Sequence, residues 1–279
     1  MMIGNRAKIR LWQVLGNVVL LLLIFLTVVP YVYMVSASFK PGDELFTIPV
    51  RMFPDSFYLG NFELLFEKTN FVRWFFNSVF VGVSRTALAV VISLMAGYAF
   101  AKFDFRFKNA LFLLLLATLT LPIYVLIVPL YDMMVAFGWT DTYIALILPV
   151  AAQAIGVFLT RQYLLSIPDE ILDSARVDGA NEWSVFWRVV VPLSWPVIAV
   201  MAILFFTASW NDYIWPLVVL TEDRLFTVSL GLPTLVSPYG QEYGAVMAGS
   251  FLSTLPIMIL FLIMQRRFIE GITRGALKG

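Results

Sequence analysis

Charged residues are so sparse in this chain that they cut it into long uncharged blocks, and those blocks set the class of fold. Arg10 to Lys40 encloses 29 uncharged residues, Lys108 to Asp132 encloses 23, Asp141 to Arg161 encloses 19 and Glu242 to Arg266 encloses 23. Arg73 to Lys102 encloses 28 residues interrupted only by Arg85, and Arg188 to Glu222 encloses 33 interrupted only by Asp212. A helix that crosses the hydrocarbon core of a bilayer needs about 20 mostly apolar residues. The blocks therefore predict an all-α membrane protein forming one transmembrane domain over residues 1–279. Its six spans are expected near 13–36, 74–100, 109–131, 142–161, 193–219 and 244–265.

The residue inventory narrows the chemistry. Hydrophobic residues make up 61% of the 279 and charged residues 13%, with mean hydropathy +0.87. A soluble domain carries about a quarter charged residues, so a soluble enzyme is excluded. Cysteine and histidine are both absent, which removes disulfides, thiolate nucleophiles, the usual zinc sites and histidine proton shuttles. The formal net charge of +1 gives no global field for nucleic acid. No Walker A pattern, helix-opening GxGxxG or GxSxG is present, so no catalytic residue, metal site or bound cofactor is expected. If the system uses ATP and Mg, another chain holds them.

Lys and Arg set the orientation. With the N-terminus inside, 13 of the 19 basic residues fall on inner segments and five on outer ones, namely Lys40, Arg51, Lys68, Arg73 and Arg224. Both termini are thus expected in the cytoplasm. Arg6, Lys8 and Arg10 resemble the start of a signal peptide, but the apolar stretch that follows exceeds the roughly 7–15 residues of such a peptide, so a retained helix is expected. Trp12, Trp74, Trp139, Trp183 and Trp195 fall near span ends, where interfacial rings are expected. Prolines 30, 122, 129, 149, 196, 216 and 256 fall inside the blocks and are expected to kink or interrupt them.

Outside the membrane, a short helix is expected near Asn61 to Glu67 within a Pro- and Gly-punctuated outer segment. The inner segment 162–192 carries more information. Ser166 or Asp169 is placed to cap a first short helix, with Ile171 and Ala175 on its apolar face. Gly179 suits the left-handed residue that ends it, and Asn181 suits the cap of a second helix with Trp183, Phe186, Val189 and Val190 on one face. Pro192 begins the return to the membrane. The acids Asp169, Glu170, Asp173, Asp178 and Glu182 oppose lying on anionic inner-leaflet lipid, so docking to a protein is expected.

At this segment the chain resembles the inner-membrane permease subunits of binding-protein-dependent ABC importers. Their loop reads E-A-A, three residues, G, nine residues, I-x-L-P. Here it reads Asp173-Ser174-Ala175, then Gly179, then on to Val190-Val191-Pro192-Leu193, with Asp and Ser replacing the leading Glu and Ala. Flanking stretches resemble the carbohydrate branch, of the maltose-transporter second-permease type: Ile167-Pro168-Asp169-Glu170, Val177-Asp178-Gly179-Ala180, Asn77-Ser78, Gly97 to Lys102, Trp210-Asn211-Asp212, and the terminus Gln265 to Gly279. The resemblance implies the ABC importer permease fold. It implies that loop 162–192 is a coupling element held in a groove on a cytoplasmic ATPase through Glu170, Asp173, Ser174, Ala175, Asp178, Gly179 and Ala180. Gly275, Lys278 and Gly279 of the tail 266–279 would add a second ATPase contact. Implied partners are a homologous second permease, two ATPase subunits, an extracytoplasmic solute-binding protein, membrane lipid and a sugar. A non-sugar solute such as a polyol phosphate is an alternative cargo.

Two ionisable residues, Arg85 and Asp212, fall inside expected spans, where each costs at least roughly 2.5 kcal/mol at mid-depth. They either pair, line a wet cavity or reach the outer interface, and a structural role is favoured for Arg85. Asn211, Asp212 and Gln153 are candidates to hydrogen-bond sugar hydroxyls and Trp210 to stack on a sugar ring. The competing role for all four is packing between helices. An ion-coupled secondary transporter is the rival class, but neither an internal repeat nor a carboxylate relay is visible.

Overall fold

The computed structural model describes residues 2–237 and 240–276. In chain order the helices are α1 (Met2–Ala37), α2 (Gly60–Glu67), α3 (Phe71–Lys102), α4 (Lys108–Thr118) and α5 (Ile127–Ala136). Next come α6 (Tyr143–Ile147), α7 (Ala154–Leu164), α8 (Asp169–Val177), α9 (Glu182–Val185) and α10 (Val191–Leu193). The last are α11 (Trp195–Trp210), α12 (Ile214–Val219), α13 (Val228–Gly231) and α14 (Tyr243–Ala276). A two-residue antiparallel pairing, Val236–Ser237 with Gly240–Gln241, is the one extended element among the described residues. The protein is all-α.

Three helices are long and apolar enough to cross a membrane among the described residues: Trp12–Ala37 of α1, Phe71–Lys102 and Tyr243–Arg267 of α14. A fourth, Glu182–Leu193 with Trp195–Trp210, meets the test only as a pair bent by 77°. The blocks 109–131, 142–161 and 193–219, whose prolines were expected to kink or interrupt them, are each divided into shorter helices. The first is split into α4 and α5 around Pro122, whose backbone is extended. The second is split into α6 and α7 by residues 148–153, which include Pro149, and the third is interrupted at Asn211–Tyr213. Proline removes a helix donor and crowds the preceding turn, which breaks the first two of these helices. Pro30 and Pro256 lie inside continuous helices, so the same residue type did not have one outcome. Helix α3 starts three residues earlier than expected, and α14 runs on through the expected tail as far as Ala276.

The chain divides into two compact units, residues 1–71 with 232–254 and residues 72–231 with 255–279. In the first, Asn61 of α2 donates to the carbonyls of Ser38 (3.0 Å) and Lys40 (2.7 Å), which ties the helix to the end of α1. Lys40, counted among the basic residues of the outer segments, is buried, donating to the Arg51 carbonyl at 2.5 Å and lying 5.0 Å from the Tyr33 ring centroid. It clamps the segment that follows α1. A buried ammonium needs such acceptors, since an unpaired one is very costly.

In the second unit, α3 is the axis. Ser93 and Gly97, one turn apart, face Gly156 and Thr160 of α7. A Cβ built on Gly97 would lie 2.4 Å from the Thr160 Cβ, and one on Gly156 would lie 2.2 Å from the Ser93 Oγ. Thr160 donates to the Met201 sulfur of α11 at 3.6 Å. Around this crossing, Ala89, Leu94, Tyr98, Leu164, Leu172, Val185, Phe186, Val190 and Met201 form one buried cluster. A second joins Val81, Met134, Leu146, Trp215, Val219 and Leu230. Trp74, expected at the interface, is buried and donates to the Asp223 carbonyl at 3.0 Å. Asn77 donates to the carbonyls of Arg224 and Phe226 and accepts from the Tyr143 hydroxyl, and the Val228 amide donates to the Ser78 hydroxyl, so residues 223–228 are held against the start of α3.

Gly97→Val and Gly156→Val are each expected to destabilise the chain by about 1–3 kcal/mol through overpacking. That amounts to a fall in detergent melting temperature of roughly 2–4 °C per kcal/mol. Gly16→Ala, where no described atom lies within 4 Å of the built Cβ, is expected to leave the melting temperature of the isolated chain unchanged.

Candidate functional site

Loop 162–192 has two faces of opposite character. Helix α8 is capped by Pro168, with no side-chain cap bond, which corrects the expected Ser166 or Asp169 cap. Asp169 and Glu170 occupy its first turn, the end where partial positive charge favours acids. The start is fastened by Lys102 of α3, which donates to the Ile167 carbonyl at 2.6 Å and to Asp169 Oδ1 at 2.5 Å. At the other end Gly179 adopts φ +87°, as expected. The Ala180 amide donates to the Ala175 carbonyl and the Gly179 amide to the Arg176 carbonyl, each at 3.0 Å, so the last carbonyls of α8 are satisfied in the six-to-one and five-to-two pattern of a Schellman cap. Asn181 accepts from the Ser184 amide at 2.8 Å and caps α9, also as expected. Helix α9 passes into a π-helical segment, Phe186–Val190, before α10.

Side chains fasten the two halves of the loop together. Arg176 donates through Nε to Glu182 Oε1 and through Nη1 to Asp173 Oδ1, both at 2.7 Å. The Tyr98 hydroxyl of α3 donates to Glu182 Oε2 at 3.0 Å. The hydrogen bond and charge of Lys102 hold the Asp169 carboxyl below its ordinary value. The Arg176 hydrogen bond does the same for Glu182, against opposing desolvation and with further help from Tyr98.

One face of the loop is sealed. Leu172, Val185, Phe186 and Val190 are buried in the α3–α7–α11 cluster, with Ala175 and Ala180 half-buried against it. The inward face of α8 is therefore Leu172 and Ala175; Ile171, expected there, is exposed. The other face carries Glu170, Asp173, Ser174, Asp178 and Gly179, all exposed, and no described atom lies within 4 Å of a Cβ built on Gly179. Val177 sits among these acids at 87% exposure, with Trp183 at 59%. Sequence reasoning passed over Val177, although an apolar residue outside the inward face of an acidic helix is a readable sign of a docking surface. Tyr98 and Lys102 gave no such sign, since their partners lie 84 and 67 residues away.

Arg85 and Asp212 form an ion pair at 2.8 Å, with side chains 12% and 19% exposed. Asp212 also accepts from the Trp215 amide at 3.3 Å, and its carbonyl accepts from the Ser229 hydroxyl at 2.6 Å. The pair thus braces the break between α11 and α12. Trp210 is buried, packed against Phe75 and Phe206. Gln153 donates to the Val150 carbonyl at 2.6 Å. Asn211 is the exposed member of that set. In the tail, Gly275 lies within α14, while Lys278 and Gly279 lie outside the described residues.

A depressed carboxyl stabilises the fold above its ordinary pKa of about 4 and loses that contribution as pH falls through the folded value. Hydrogen-exchange protection of residues 169–185 is therefore expected to hold from pH 8 to about 5 and to fall only below about 4. Glu182→Gln is expected to lower protection already at pH 7. Separately, Arg85→Met and Asp212→Asn are each expected to lower stability by up to about 3 kcal/mol by stranding a charge or its partner. Because the two act through one contact, the double variant is expected to cost less than the sum in a melting experiment.

Residues 89–274, which include the whole of loop 162–192, match the family described as binding-protein-dependent transport system inner membrane component. The chain is 41% identical to the arabinooligosaccharides transport system permease protein AraQ of Halalkalibacterium halodurans, over 91% of this chain and 92% of that protein. It is 34% identical to the lactose transport system permease protein LacG of Rhizobium radiobacter, over 94% and 95% of the two. Its fold matches a crystal structure of a bacterial ABC transporter involved in the import of the acidic polysaccharide alginate, with TM-score 0.82 and 22% identity over 93% of this chain and 97% of that one. A bilayer-spanning helical chain with an acidic, glycine-turned loop, matched over nearly its full length, belongs to the binding-protein-dependent inner membrane components, the multi-pass permease subunits of ABC importers.

Proposed function

We propose that the chain forms half of the pore of an ATP-driven importer for a sugar or oligosaccharide. The substrate class rests on similarity, since the relatives are named for arabinooligosaccharides and lactose. Six passes are proposed: α1, α3, α4 with α5, α6 with α7, α10 to α12, and α14, both termini lying in the cytoplasm. The excess of basic residues on the inner segments supports this orientation. A homologous permease completes the pore, a binding protein delivers the sugar from outside, and two ATPase subunits hold ATP and Mg. This chain performs no covalent chemistry.

The observation that carries the reading is the free face of loop 162–192. Glu170, Asp173 and Asp178 surround Val177 and the open space over Gly179. That face suits a groove lined by basic and apolar groups on the ATPase, with Ser174 in contact and Ala175 and Ala180 supporting it from beneath. Gly275, Lys278 and Gly279 provide a second contact to the ATPase pair. Asn211 is the proposed substrate contact; Asp212, Trp210 and Gln153 support the path through the contacts given above. The pairing of Asp212 with Arg85 occupies the carboxylate that an ion-coupled transporter would need free.

Gly179→Asp tests the reading. Aspartate tolerates the left-handed backbone better than most residues, so α8 is expected to fold. Its side chain would enter the docking space. ATPase recovered with the purified complex is expected to fall about tenfold, equivalent to about 1.4 kcal/mol, and uptake with it. Normal recovery and normal uptake would overturn the proposal.

A further inference from the structure

The loop is joined in sequence to α7 and α11, yet its polar anchors come from α3. Tyr98 and Lys102 stand one turn apart at the inner end of that helix, which places them on one face. Lys102 grips the start of the loop at Ile167 and Asp169. Tyr98 grips the far side at Glu182, and Arg176 carries that grip back across the turn to Asp173. Both anchoring side chains are enclosed: Tyr98 is 5% exposed and the Lys102 side chain 6%. The Tyr98 ring is further wedged against Phe103 and Phe186, with centroids 5.1 and 5.9 Å away.

Toward its other end, α3 is committed as well. Ser93 and Gly97 lock it to α7, and Arg85 holds Asp212 at the break between α11 and α12. A rigid helix gripped in this way transmits a push. We propose that Tyr98 and Lys102 are positioning residues for energy coupling. They fasten α3 to both ends of the loop, so that displacement of α8 by the ATPase drives α3 and, through Arg85, the break at Asp212. This inference rests on the docking role proposed above and names a route by which docking reaches the pore.

The test uses the complete importer in liposomes and reads three quantities: ATPase recovered with the complex, ATP hydrolysed, and sugar accumulated. Tyr98→Phe removes one hydroxyl and keeps the ring packing. Lys102→Met removes the charge, and Lys102→Arg restores it. Tyr98→Phe and Lys102→Met are each expected to recover ATPase normally while moving about threefold less sugar per ATP. Lys102→Arg is expected to recover most of the lost coupling. Adding Tyr98→Phe to Glu182→Gln is expected to cost little beyond Glu182→Gln alone, because the Tyr98 hydroxyl acts through Glu182, which also holds Arg176. An unchanged sugar-to-ATP ratio with normal ATPase recovery would overturn the inference while leaving the docking reading intact. Loss of ATPase recovery in step with uptake would also overturn it, by showing that these contacts only shape the docking face. If the unmodified chain recovered no ATPase, the docking reading would fail and this inference with it.

Discussion

Within a bilayer, an apolar side chain gains little by leaving lipid for another helix, so close steric fit and polar contacts must hold helices together. In this chain the fit that matters is the crossing of α3 and α7, where Gly97 admits Thr160 and Gly156 admits Ser93. The absence of a Cβ at each glycine lets the backbones approach within reach of many dispersion contacts, each small and collectively large. Thr160 extends the crossing to Met201 of α11. Once α3, α7 and α11 are set, the loop between α7 and α11 lies beside the end of α3. The buried cluster from Leu94 to Phe186 then follows from that placement.

The loop is fastened at both ends within the chain. Both ends of α8 are settled within the chain, by Lys102 and the Ile167 carbonyl at the start and by the Gly179 turn at the finish. Its sealed face is apolar and its free face is acidic, with Val177 at the centre. Acceptors and an exposed apolar side chain on a preformed surface keep the ordering cost of association low. Glu182, engaged by Arg176 and Tyr98, is held below the ordinary carboxylate range, so the shape of the loop depends on a charge that persists well below neutral pH.

What was legible in the sequence was local. Gly179 and Asn181 carry their conformations in their own chemistry, and both were read correctly from residue type and spacing. The blocks between charges showed that the chain spans a membrane, because that depends on transfer energy summed over a window. They did not show where helices break, because apolar content does not report backbone hydrogen bonding. Pro122 and Pro149 lie in breaks while Pro30 and Pro256 do not, and the difference lies in surroundings that no window contains. Contacts between distant residues were the least legible. The Arg85–Asp212 pair spans 127 positions and was one of several open alternatives, whereas Tyr98–Glu182 and the burial of Lys40 and Trp74 left no local trace.

The chain contains no cysteine, so one introduced thiol is a unique probe. Val177→Cys, placed at the most exposed apolar position of the loop and joined to a short thiol-to-amine cross-linker, addresses the central claim that this face meets the ATPase. The account predicts a single product of permease and ATPase in intact complex, and no reaction of the introduced thiol with a membrane-impermeant thiol reagent added from outside. Phe57→Cys, at an 81% exposed position of the proposed outer segment, should show the reverse pattern. Labelling of the Val177→Cys variant from outside, or an intact complex with no cross-link at this position, would contradict the account.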